Sequence, residues 1–316
     1  MRRKGTILTV LLASLLFLTT GLRAGTASGP EPRTEAAPRA MTVHPVTGKI
    51  YFANKQNEIT AFDADTKLTG RLNSGGVPVA LEVHPVTGEL YVLHRGKDVL
   101  TILDPTTGDT KSIQVGKDPV AMALNPITNT LYVANAGSND VTVVAGDGSQ
   151  PKTVNDPAAK SPSAITVNSG SNQIYVANSG SDNVTIIDGG DLTTRTMAVG
   201  RRPVAIGADA ASRQVYVANA GSQDITVIDE LAGTASTSPR IDDLEPVALT
   251  VDPHTGQAYV ANGARRRVTV LTGASGSFRT IPTERAVYAV AVPPGARGPI
   301  YLTDESDEPM LLADGM

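Results

Sequence analysis

Short apolar runs, broken by polar joints, fill the chain from about residue 40 onward. A run such as "PVAMALN" (Pro119 to Asn125) leads into a turn of the "NPITN", "HPVTG" or "DPHTG" kind, then into "LYVAN", a second turn and an alternating "VTVID"-type stretch. Another polar turn and a weaker fourth run follow, as in "KSIQVG" (Lys111 to Gly116). Valine, isoleucine, threonine and tyrosine fill the runs, while glycine, proline, asparagine and aspartate fill the joints, which is strand and turn chemistry. No apolar stretch within this region keeps helical spacing for the ~10–12 residues a helix needs.

The pattern recurs. "IYVANSGSDNVTIIDGG" (Ile174 to Gly190) returns as "LYVANAGSNDVTVVAG" from Leu131, "VYVANAGSQDITVIDE" from Val215 and "AYVANGARRRVTVLTG" from Ala258. Weaker copies begin at Ile50, Leu90 and Ile300. The repeated tyrosine falls at Tyr51, Tyr91, Tyr132, Tyr175, Tyr216, Tyr259 and Tyr301, a period of about 42 residues. Four short antiparallel strands in each such unit describe a propeller blade, and seven blades lie within the usual ring sizes. The predicted fold is therefore all-β, a seven-bladed β-propeller of four-stranded antiparallel blades over residues 39–316. Blade 7 reaches only three strands before Met316, so the segment "PRTEA" (Pro32 to Ala36) is expected to supply its outer strand.

"YVAN" with a downstream "VTVID", spaced by "GS" and a polar pair, resembles the YVTN-type β-propeller repeat of YncE-like exported proteins and surface-layer proteins. The resemblance spans residues 39–316 and is sharpest in blades 3, 4 and 5; blades 1, 2 and 7 depart from it. It implies the fold firmly and the function only broadly, because related propellers include noncatalytic surface proteins, a proposed DNA binder and haem d1-carrying domains. A motif present in every unit reads as scaffold. The asparagine after "YVA" (Asn54, Asn135, Asn178, Asn219, Asn262) is expected to cap the second turn through its side chain.

The first residues differ from everything that follows. Arg2, Arg3 and Lys4 precede the apolar run Ile7 to Leu22, and small residues follow it. This reads as a signal peptide over residues 1–27, cut after Ala27 or, second choice, Ala24; an uncleaved anchor is the alternative. Residues 28–38 form a polar, proline-rich lead-in. The expected destination is the periplasm, cell surface or exterior, as a monomer with no membrane span once the signal is removed. Cleavage takes four of the 27 basic side chains and none of the 31 acidic ones, moving the net charge from −4 to −8. That balance disfavours nucleic acid as a partner. The chain has no cysteine, which excludes disulfides, thiolate metal sites and thiol catalysis.

Sites on a repeat scaffold are expected where one copy departs from its sisters, in loops. The turns between second and third strands share a face, the top, with the links between blades. Blade 2 has His94, Arg95 and Lys97 there, blade 6 has Arg265, Arg266 and Arg267, and blade 7 has Asp304, Glu305, Asp307 and Glu308. The links add Lys117, Arg201, Arg202 and Arg285. The functional expectation is a basic rim of Arg95, Lys97, Lys117, Arg201, Arg202, Arg265 and Arg266 that captures a protein or other anionic partner. The plain alternative pairs Arg265 to Arg267 with the acids of blade 7 in solvated ion pairs.

Catalytic residues, cofactors and metal ligands are not indicated. No zinc-protease, nucleophile-elbow, phosphate-loop or dinucleotide motif occurs. His44 and His84 occupy one turn slot in two blades and read as turn caps rather than metal ligands, with His254 in the corresponding turn of blade 6. "DADTKLTG" from Asp63 opens like a calcium loop, but Lys67 stands where an oxygen ligand belongs. The expected function is an exported, noncatalytic binding or surface scaffold. The alternatives are a lyase or hydrolase with its site at the mouth of the central channel, or a nucleic-acid-binding propeller.

Overall fold

A computed structural model describes residues 40–53, 58–63, 66, 69–146, 150–273, 277–292, 300–304 and 310–312. The described strands form seven antiparallel sheets, one per sequence repeat. Blade 4 is representative, with strands Pro162–Asn168, Gln173–Asn178, Asn183–Asp188 and Thr194–Ala198 in that spatial order. Six sheets have four strands and the seventh has three among the described residues. The residues expected to complete blade 7, 32–36, lie outside the described part of the chain.

The first strand of each blade lines the centre, packing against the first strands of its neighbours. The first strand of blade 7 (Ala289–Ala291) meets that of blade 1 (Met41–Val43), which closes the ring. Among the described residues no helix is long and apolar enough to cross a membrane.

Burial explains why the "YVA" strands are apolar at every position. Leu131 and Val133 pack toward blade 2, while Tyr132 and Ala134 pack toward blade 4. Both faces of the second strand are therefore core, so it loses the alternation of a half-exposed strand. The rule holds around the ring: each repeated tyrosine faces the next blade. Tyr301 of blade 7 completes it by packing with Ile50 and Phe52 of blade 1. Outer strands such as Thr234–Thr237 are exposed throughout.

Proline positions the inner strands. In blades 2 to 5 the pairing shifts register between Pro78/Ala80, Ala134/Asn135, Pro162/Ala164 and Pro203/Ala205, a bulge at the same place each time. A proline at the first residue of an edge strand sacrifices no ladder bond.

Candidate functional site

The polar residues of "NSGSDN" hold the top face together. In blade 4 the Asn178 amide nitrogen donates to Asn183 Oδ1 and Thr185 Oγ1, both at 2.9 Å. Ser181 Oγ accepts the Lys160 N–H at 3.1 Å, and Asp182 Oδ1 accepts the Arg202 N–H of the next link at 2.8 Å. The asparagine cap recurs with Asn135 on Thr142, Asn219 on Thr226 and Asn262 on Thr269, each at 2.9 Å. All four asparagines are fully buried. The asparagine thus acts locally, as expected, but chiefly on side-chain oxygens five and seven residues on rather than on the backbone of the turn; Asn54 lies outside the described residues.

These bonds clamp the links that enter blades 3, 4 and 5. Lys117 N–H is held by Ser138 Oγ at 3.0 Å and Arg201 N–H by Ser222 Oγ at 2.9 Å, matching Lys160. The residue that follows, Asp118, Ser161 or Arg202, has φ near +50° in all three links. Its N–H bonds to the turn of the preceding blade, through Asp98, Asn139 or Asp182. Each link is thus fixed to two blades. Its first residue is basic in three consecutive blades: Lys117, Lys160 and Arg201, all exposed.

Lys160 is absent from the set expected from sequence. The signal for it was available, since it stands two residues before the inner-strand proline, as Lys117 and Arg201 do.

The other rim residues differ in availability. Arg95 and Arg266 are exposed and, with Lys117, Arg201 and Arg202, have no ion pair among the described residues. Lys97 Nζ donates to the Gly75 carbonyl at 2.6 Å. Arg265 is engaged: its guanidinium lies 2.6 Å from Glu245 and 3.9 Å from Asp243, and Arg267 lies 3.2 Å from Asp243. These acids sit just before the inner strand of blade 6 itself. The expected pairing with blade 7 is therefore corrected for Arg265 and Arg267, because the clamp geometry sets each turn against its own blade's link. Asp304 of blade 7 is buried and pairs instead with Arg285 at 2.6 Å. Glu305, Asp307 and Glu308 lie outside the described residues.

The histidines serve the fold. His44 Nδ1 accepts the Val46 and Thr47 N–H groups at 3.2 and 3.3 Å, and His84 Nδ1 does the same for Val86 and Thr87 at 3.2 and 3.1 Å. Asn125, Asn168, Asp209 and Asp252 fill that slot in other blades. In blade 6 the cap is thus Asp252, and His254 follows it. His94, grouped with the rim cations by sequence, is only 1% exposed. Burial and then the Lys97 charge lower its pKa to about 4, so it is neutral at pH 7. Asp63 caps its own turn by accepting the Thr66 N–H at 3.0 Å. Among the described residues no three histidine or carboxylate side chains group as metal ligands.

A second feature lies in the middle of the ring. A cavity of about 300 Å³ is bounded by the inner strands of blades 2 to 6. Glu82 opens onto it. The carboxyl is half-buried, and desolvation among the surrounding strands, opposed by a backbone hydrogen bond at Val83, pushes its pKa up to about 7. Glu82 is not among the residues expected from sequence, although its signal is there: it is the one charge in the middle of any described inner strand.

No family model matches the chain, and no curated protein matches it in sequence. Solved structures do resemble it. A structure of Kuenenia stuttgartiensis hydrazine synthase matches with a TM-score of 0.76 and 18% identity, over 91% of this chain and 98% of that one. Virginiamycin B lyase from Staphylococcus aureus gives 0.74 and 15%, over 86% and 92%, and a streptogramin B lyase structure 0.72 and 13%, over 84% and 90%. At these identities the shared property is the fold: the chain is a seven-bladed β-propeller.

Proposed function

We propose that this chain is an exported, noncatalytic β-propeller, acting as a monomer, that captures an anionic protein or ligand on its top face. One observation carries this reading. Three consecutive links present Lys117, Lys160 and Arg201 at equivalent, backbone-clamped positions, exposed and without ion pairs among the described residues. A platform fixed before binding loses little conformational entropy on capture. Export rests on the charged start and apolar run of residues 1–27, and the YVTN-type assignment on the repeat itself. The test is affinity capture on immobilised residues 28–316, run beside the R201E/R202E variant. A partner retained by the wild type and lost by the variant supports the reading; equal retention rejects it.

Glu82 favours one second reading, a propeller enzyme working from the central channel. Two of the structural neighbours named above are lyases. A carboxyl with a pKa near 7 has the right protonation balance for acid–base work. Among the described residues of the cavity lining no second titratable group stands beside it, which is why the scaffold reading ranks first.

A further inference from the structure

Glu89, Asp104 and Asp109 stand side by side at the edge of blade 2 that lies opposite the top face. Leu90 pairs with Leu103 and Leu103 with Thr110, and the three acids are the next step of both ladders. The Asp104 N–H donates to the Asp109 carbonyl at 2.9 Å, which fixes the second pair. Two residues along, on the same face, Tyr91, Ile102 and Lys111 form the next row. Both rows line a cleft of about 320 Å³ whose other wall is blade 3, through Leu124, Leu131 and Val144. Ile102 and Leu124 are only half-buried, so some apolar surface reaches the cleft.

Blades 4, 5 and 6 hold at most one acid in this row: Gln173–Asp188–Thr193, Gln214–Asp229–Thr234 and Gln257–Thr272–Ser277. There the glutamine satisfies its neighbours. Gln173 Nε2 donates to Asp188 Oδ2 at 2.9 Å, and Gln214 and Gln257 Oε1 accept the Tyr216 and Tyr259 hydroxyls at 3.0 and 2.7 Å. Glu89 removes the donor and sets like charges opposite one another, which destabilises a sheet. The Tyr91 hydroxyl, on a side chain only 5% exposed that lines the cleft, has no hydrogen-bond partner among the described residues. Glu89 and Asp104 each use one carboxylate oxygen on a local turn, Glu89 Oε2 for the Thr87 hydroxyl and Asp104 Oδ1 for the Thr106 and Thr107 N–H groups. Their other oxygens accept no hydrogen bond among the described residues.

Acceptors left open in a row call for a cation with several donors. We propose that this cleft between blades 2 and 3 binds a guanidinium group, which donates to the carboxylates of Glu89 and Asp104 and to the Tyr91 hydroxyl. Side chains directly opposite in a ladder have Cβ atoms about 4.5–5.5 Å apart, a spacing that the planar fork of five N–H donors can bridge. Tyrosine and the side chain two residues before it meet within 3.0 Å in blades 5 and 6, so the Tyr91 hydroxyl belongs to the same group as Glu89. A metal ion suits the row poorly, because among the described residues no three carboxylates converge as ligands. Guanidinium is also more weakly hydrated than an ammonium, which favours it beside Ile102 and Leu124. Lys111 is the one cation of the lining, against three acids, and it has no ion pair among the described residues. This site is built on strands and is independent of the top-face reading.

Calorimetry at neutral pH and low salt tests the proposal on residues 28–316, with n-propylguanidinium and the capped residue Nα-acetyl-argininamide as probes. Saturable binding is expected for both, about threefold or more tighter than for n-propylammonium. E89Q installs the residue of blades 4 to 6, so it should melt no lower than the wild type while losing about tenfold or more in affinity. Y91F should also weaken binding, whereas K111Q should bind at least as well as the wild type, because the lysine repels a cation. R201E/R202E should bind as the wild type does. Tighter binding of the capped residue would support an arginine side chain of a peptide as the source, and tighter binding of propylguanidinium a free small molecule. No saturable binding of either probe, equal binding by E89Q, loss of binding in K111Q, or equal affinity for propylammonium would overturn the proposal.

Discussion

His94 Nε2 lies 3.1 Å from Thr101 Oγ1, the place where four other blades set an asparagine on a threonine. The histidine of blade 2 is a variant of the repeat cap. Gly76 lies against its ring, where an added Cβ would stand 3.0 Å from Nδ1, so the link has no side chain to spare there. The substitution carries one cost the asparagine does not: an imidazole can be protonated.

That cost gives the first prediction. The folded pKa of His94, about 4, lies below the ordinary histidine value of 6.5, so the unfolded chain binds the proton more readily. Stability from the neutral imidazole is complete above pH 6.5 and is lost as pH falls from 6.5 toward 4. One pKa unit corresponds to about 1.4 kcal/mol, so the loss reaches about 2–3 kcal/mol by pH 4.5. Glu82 acts in the opposite sense, since its raised pKa removes stability as pH rises from 4.5 toward 7. Comparison with H94N isolates the histidine. Urea denaturation should find H94N close to the wild type at pH 7.5 and more stable by about 2–3 kcal/mol at pH 4.5. A difference that does not change with pH would refute the assignment.

Blade 7 fills the same slot with Asp304, buried and paired with Arg285. Removing the arginine by R285A weakens the compensation of a buried carboxylate, at an expected cost of about 1–3 kcal/mol. Replacing Asp304 by asparagine, the residue of most other blades, should suppress most of that loss. If R285A melts at the wild-type temperature, or if D304N fails to rescue it, the pair does not hold the last blade.

The fold was legible in the sequence because the repeat carries its own control. Tyr132 and Tyr175 could be read as core from recurrence alone, and the asparagine cap from its place before a turn. Three things were not legible. Pairing of Arg265 with Glu245 depends on the clamp that sets a turn against its own link, which no local pattern reveals. His94 looked like a surface cation because its burial follows from a slot 7 residues away from its partner. Glu82 was hidden in a strand that otherwise obeys the rule.

The clamp itself can be broken without touching a charge. A Cβ at Gly200 would stand 2.4–2.5 Å from Asp224 Oδ1, Asn219 Nδ2 and Ser222 Oγ. G200A should therefore cost about 1–3 kcal/mol, the range for forcing extra volume into a packed site. It should also loosen the hydrogen bond that fixes Arg201 N–H, so partner affinity should fall even though every basic side chain remains. Unchanged thermal stability and unchanged capture in G200A would show that the link is not rigidly held.

The central claim is that the top face captures its partner through fixed cations, and partner affinity of R201E/R202E measured against the wild type tests it most directly. Both side chains are exposed and their backbone bonds do not depend on side-chain charge, so melting should stay within about 0.5 kcal/mol of the wild type. Affinity for the captured partner should fall at least tenfold at low salt. The gap should narrow as salt rises, because exposed charges are screened beyond about 8–10 Å near physiological ionic strength. Equal affinity of the two proteins at low salt, with the fold intact, would contradict the account.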